Sequence, residues 1–182
     1  MMISYFPISY HYTAKENEMS KSTLVAGFGA SQHVTMSNLG GINHEDSVSP
    51  PAEGGNCINW VAGHILASRN SILKLLGGRG FLSEEECAPY QRGSKQLQPG
   101  DDCVPMDRLL DGLQQTGNEI IQRLQGISEE ELDKEFEVPN FPVKFDEPTV
   151  AAHIFLLFYH EGYHTGQLGL GRRVLGKEAA IK

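Results

Sequence analysis

The chain has 182 residues, 40% of them hydrophobic and 21% charged, which suits one soluble globular domain with a sizeable core. Its formal charge of −8 comes from 15 basic and 23 acidic residues with no basic run, so the composition carries no electrostatic footprint for nucleic acid or an anionic membrane surface. No apolar run approaches the roughly 20 residues that span a bilayer, and three cysteines without a CxxC pair (Cys57, Cys87, Cys103) point to a reducing, cytoplasmic setting.

Residues 1–19 follow neither a helical nor a strand period and read as a loosely attached tail, with one domain over 20–182. The tail lacks a basic start, and Pro7, Ser9 and His11 interrupt any apolar core, so it does not read as a signal peptide. Met19 is a candidate natural start. The first long helix is expected over 20–40, capped by Ser20 or Ser22, with Leu24, Val25, Phe28, Thr35, Met36 and Leu39 at 3–4 spacing and Gly40-Gly41 ending it. Asn43 is placed to cap a short acidic turn, after which SPPAEGG is a loop by composition.

The second long helix is expected over 56–77. His64 shares its inward stripe with Cys57, Trp60, Val61, Ser68 and Ser71, and Gly63 beside it permits close approach of a neighbouring helix. Residues 78–104 form a connection longer than usual between helices, which points to a functional or crossover connection. Ser83 starts a short helical turn within it, but little apolar periodicity ties the rest down. A third helix is expected over 105–125, with Leu109, Leu113, Thr116, Ile120 and Leu124 as its seam, and Ser128 opens a capping box after it. The proline-containing stretch VPNFPVKFDEP reads as extended.

The fourth helix, expected over 147–175, carries His153, His160 and His164. At about 100° per residue, positions i, i+7 and i+11 fall within about 40° of one another, so the three imidazoles lie on one stripe with Gln167. His160 and His164, at i and i+4, can present nitrogens to one metal ion from consecutive turns. The same spacing also fits core histidines hydrogen-bonded to other helices, and a third ligand from elsewhere decides between the two. His64 is that candidate. Glu161 lies about 100° off the stripe and reads as a partner at the surface or at a helix contact rather than as a base. Four long helices with one long crossover specify an all-α four-helix bundle, and such bundles build metal sites from inward side chains on facing helices.

The segments Asn59-Trp-Val-Ala-Gly-His64 and His160-Glu-Gly-Tyr-His-Thr-Gly-Gln-Leu168 resemble the two signature stretches of the DinB-like superfamily, which includes DinB/YfiT-type metalloproteins. The resemblance runs over roughly residues 20–176. It implies an up-down-down-up bundle and a metal held by His64, His160 and His164. It makes a homodimer plausible, to which the first helix's broad apolar surface adds a weak motive. It also implies a relation to enzymes that use low-molecular-weight thiols, among them mycothiol-dependent maleylpyruvate isomerase and bacillithiol transferases.

With that resemblance, the expected function is a metal-dependent, thiol-cofactor-dependent S-transferase acting on a small electrophile. Zinc, nickel and iron all suit imidazole. Alternative readings are a metal-dependent hydrolase and a non-enzymatic metal- or ligand-binding protein. His153, Trp60, Gln167, Cys57 and Tyr163 are the candidates for the pocket wall or for support behind the ligands; no catalytic residue is singled out.

Overall fold

Ser20 opens the bundle: its backbone is extended, and its Oγ accepts from the Thr23 N–H of a helix that runs to Leu39. Such a cap contributes about 0.5–2 kcal/mol by satisfying a donor that the helix cannot. The computed structural model describes residues 20–51, 54–137 and 148–181. The expected N-terminal tail, Met19, and nearly all of the proline-containing stretch before the fourth helix lie outside these residues.

The helices are α1 (Lys21–Leu39), α2 (His44–Ser47), α3 (Ile58–Leu75), α4 (Glu84–Cys87), α5 (Met106–Gly126), α6 (Glu129–Leu132) and α7 (Val150–Val174). Asn43, Ser83 and Ser128 cap α2, α4 and α6, the last two through complete capping boxes. The last long helix starts at Val150 rather than at 147. Thr149 is its N-cap, accepting from the Ala152 N–H at 3.1 Å, and Pro148 disfavours helical backbone in the residue before it. Among the described residues the strand content is one isolated antiparallel bridge, Glu135 to Thr149.

Cross-helix contacts fix the direction of each long helix. Gly27 faces Phe158 while Thr35 bonds Thr165 at 2.7 Å, so α1 and α7 run parallel. Ile58 faces Gly171 while Arg69 reaches Glu161, so α3 runs against α7. Asn59 donates to the Val104 carbonyl at 3.0 Å while Leu66 lies over Gly112, so α3 and α5 run parallel. Lys21 Nζ donates to the Ile127 carbonyl while Gln32 faces Gly117, so α1 and α5 are antiparallel. The bundle is therefore up-down-down-up, with α1 diagonal to α3 and α5 diagonal to α7.

The apolar core is in two parts. One half gathers Leu39, Trp60, Ile65, Leu66, Leu109, Leu113 and Leu168. The other gathers Leu24, Phe28, Ile72, Leu73, Ile120, Leu124, Ile154 and Leu157. Between them each long helix turns polar at the same level: Ser31, Gln32 and Thr35 on α1, Arg69 on α3, Thr116 on α5, and Glu161, His164 and Thr165 on α7, all buried. The crossover is not a loose loop. Leu82, Tyr90, Leu97 and Val104 from it are buried in the first core half.

Candidate metal centre

α3 and α7 pass each other with His64 facing His160 and His164, one turn apart. His164 is buried, and the other two rings are half-buried. His160 Nε2 lies 3.0 Å from His64 Nε2 and 3.1 Å from His164 Nε2. Nitrogens bound to one zinc ion at about 2.0–2.1 Å stand roughly 2.8–3.4 Å apart, from a right-angle to a tetrahedral arrangement. Among the described residues this is the one cluster with metal-ligand geometry.

Two of the rings have their protons assigned by their surroundings. His64 Nδ1 is 2.6 Å from the Tyr90 carbonyl, which can only accept, so Nδ1 carries the proton and Nε2 a lone pair. His164 Nδ1 lies 2.8 Å from Gln167 Oε1, with the same consequence. Both lone pairs point at His160 Nε2. One proton on that nitrogen satisfies one of them and leaves the other facing it. A cation satisfies all three nitrogens at once, with the proton of His160 moved to Nδ1, which is buried without a partner. The donor set therefore fits a divalent transition metal.

The electrostatics agree with neutral rings. Burial pushes all three imidazoles below their ordinary range. His160 falls to about 4, because the other two rings add repulsion to the cost of desolvation while Glu161 opposes the shift only weakly. The Tyr90 and Gln167 hydrogen bonds offset part of the shift at His64 and His164.

Trp60 is stacked on His64, ring centroids 4.7 Å apart and planes 11° from parallel. Its Nε1 donates to the Pro89 carbonyl and to Ser94 Oγ. Tyr163, 61% exposed, sets its ring edge-on to His164 at 5.1 Å and forms the outer lip. Cys57 sits two turns before His64 as the N-cap of α3, inside the apolar core, with its thiol pushed up by burial. His153 packs its ring 5.3 Å from that of Phe136, and the structure does not bring it to the three-histidine cluster.

Glu161 is not a surface partner. It is 1% exposed, and both its oxygens are engaged: Arg69 Nη2 and Ser31 Oγ donate to Oε1 at 2.6 Å each, and Arg69 Nε donates to Oε2 at 2.9 Å. Arg69 also donates to Gln32 Oε1 and to the Leu113 carbonyl, so one guanidinium ties all four long helices. Gly117 leaves the room this needs, since a Cβ there would overlap Gln32 Oε1. Sequence reasoning missed Arg69. Its spacing from His64 on α3 and the place of Glu161 beside His160 are the signal that was available. The approach to Gly63 is also not a long helix: the Tyr90 ring of the crossover fills the space where a Cβ would lie.

The topology is that of an up-down-down-up helical bundle, with three convergent imidazoles from α3 and α7 that could hold a metal ion. The family model of the DinB superfamily matches residues 28–168, and the chain belongs to that superfamily. A crystal structure described as the conserved protein of locus from Enterococcus faecalis is similar in fold, with a TM-score of 0.63 at 15% identity over 88% of this chain and 100% of that one. No curated protein matches the chain. No helix among the described residues is long and apolar enough to cross a membrane.

Proposed function

We propose that the protein is a metal-dependent S-transferase that joins a low-molecular-weight thiol to a small electrophile. The observation that carries this reading is the convergence of three Nε2 atoms at 3.0 and 3.1 Å. Three protein ligands leave coordination positions for an exogenous group, the pattern of catalytic rather than structural sites. When bound, the ion lowers the pKa of a coordinating thiol and holds it as the nucleophilic thiolate.

The chain's own residues then have separate tasks. His64, His160 and His164 hold the ion. The Tyr90 carbonyl and Gln167 keep two of the rings oriented. Trp60 walls the inner side, and Tyr163 gives an aromatic edge at the mouth against which an electrophile is oriented. Burial of the inner wall excludes bulk water from one side of the site.

A hydrolase requires a base beside the site, and Glu161 is the nearest acidic residue in sequence. Its two oxygens already accept three hydrogen bonds inside the core, which argues against that role. A homodimer is proposed through α7 rather than α1, because Phe155, Tyr159, Tyr163, Leu170 and Val174 are exposed along one of its faces. Light scattering of the wild type and of a Tyr159→Glu, Leu170→Glu variant tests this, with the variant expected to be monomeric.

The test of function begins with elemental analysis of the purified protein. The cobalt-substituted protein is then titrated with a small thiol. A sulfur-to-cobalt charge-transfer band is expected. A protein that takes up cobalt but gives no such band with any thiol falls back to a metal-binding role. Replacing His64, His160 or His164 with Ala should each abolish stoichiometric loading, whereas His153→Ala should retain it. Full occupancy in His64→Ala would overturn the ligand assignment.

A further inference from the structure

Three residues of the Asn59–His64 stretch face the crossover. The Tyr90 ring occupies the space over Gly63, and no exposed surface of that side chain remains. Its hydroxyl donates to Asn59 Oδ1 at 3.0 Å and accepts from the Val104 N–H at 2.8 Å. Asn59 Nδ2 in turn donates to the Val104 carbonyl at 3.0 Å, which closes a ring of three residues. One residue earlier, the Pro89 carbonyl accepts from Trp60 Nε1 at 3.0 Å and from Ser94 Oγ at 2.7 Å. Asn59, Trp60 and Gly63 thus form a receptor for Pro89-Tyr90. The Tyr90 carbonyl, set by that grip, is the atom that meets His64 Nδ1.

We propose that Tyr90 is a positioning residue for the metal site: its buried side chain locks the crossover so that its own carbonyl holds His64 as the Nδ1–H tautomer, with Nε2 bare and aimed at His160 and His164. The proposal rests on the metal reading above, but its structural half stands apart from it. α3 directs the His64 ring toward α7 without supplying an acceptor for Nδ1. The acceptor comes from a connection of more than two dozen residues, whose carbonyl would be a dilute partner if it were mobile. Fixing the partner of the non-ligating nitrogen sets ring orientation and ligand basicity together, and losing such a partner typically costs about 10–100-fold in metal affinity.

The test compares Tyr90→Leu, Tyr90→Phe and Leu124→Ala, the last a truncation in the far half of the core. Nitrogen-15 spectra of the metal-free proteins should show a protonated Nδ1 and a bare Nε2 at His64 in wild type and Tyr90→Phe. In Tyr90→Leu, which empties the slot over Gly63 and loses the hydroxyl, the two tautomers should mix. Zinc affinity, read by competition with a chromogenic chelator, should fall about 10-fold or more in Tyr90→Leu and stay within about 3-fold of wild type in Tyr90→Phe. Leu124→Ala should melt earlier and keep wild-type affinity. A wild-type His64 protonated on Nε2 overturns the proposal, as does a Tyr90→Leu protein with unchanged tautomer and zinc affinity. If the wild type binds no zinc, the functional reading falls while the tautomer comparison still decides whether Tyr90 sets His64.

Discussion

Two polar clusters lie between α3 and α7, within five residues of each other on α3 and adjacent in sequence on α7, and they are built on opposite terms. Around Arg69 and Glu161 charge and hydrogen bonds close on themselves: the guanidinium meets a carboxylate, an amide and a carbonyl, and the carboxylate meets Ser31 as well. Around His64, His160 and His164 three ring nitrogens meet with at most one proton among them. The first cluster pairs its charges within the protein and leaves Gln32 Nε2 as a buried group without a partner, whereas the nitrogens of the second have a geometry that a cation would satisfy. The difference separates polar groups that satisfy one another inside the fold from polar groups whose geometry leaves room for an ion, a distinction that burial by itself does not make. Both Glu161 and His164 are buried.

Removing one half of the closed cluster should have the largest effect. Arg69→Met leaves a buried carboxylate without its cation and should cost about 3–5 kcal/mol in chemical denaturation. Adding Glu161→Leu should restore much of that loss. A single variant as stable as wild type would show that the ion pair does not anchor the core.

The open cluster should respond to metal instead. An ion at about 100 times its Kd should add about 2.7 kcal/mol to wild type, and chelator should reverse it. His160→Ala should lose this gain, and Arg69→Met should keep most of it if it folds. Equal metal stabilisation in His160→Ala would remove the contrast between the two clusters.

Acid sharpens it next. Burial lowers all three imidazoles in the fold, His160 to about 4. The unfolded chain takes up these protons near pH 6.5, so the unfolded state binds more protons over that interval. The stability of the metal-free protein should therefore decline as pH falls from about 6.5 toward about 4, and His160→Ala should flatten the decline. Melting curves across that range test this; an unchanged slope in the variant assigns the acid sensitivity to other groups. The smallest effect belongs to Gln167→Ala. It should weaken zinc binding about 10-fold and leave the metal-free melting temperature within a degree or two, because Gln167 serves a ring rather than the core.

Four helix starts were legible because capping is local: Ser20, Asn43, Ser83 and Ser128 each act on an N–H three residues away, whereas the Thr149 cap of α7 was not read. The pair His160 and His164 was legible from helical spacing, and His64 from the Trp-x-x-Gly-His stretch around it. What stayed hidden depends on register between elements. The angular position of Glu161 takes it off the histidine stripe but does not reveal Arg69 waiting on α3. Tyr90 sits in a stretch with no period, and its burial follows from a slot that Gly63 opens on another helix. Apolar residues all around α7 also obscure which of its faces is exposed, and it is Tyr159 and Leu170 that lie outside.

The chain contains one tryptophan, and its indole lies flat against the His64 ring. All indole emission therefore reports from a single place. Paramagnetic ions such as cobalt or copper should quench it on loading, while zinc, with a filled shell, should leave its intensity largely intact. A titration followed at one wavelength would then distinguish occupancy of the three-histidine site from ions scattered over an acidic surface.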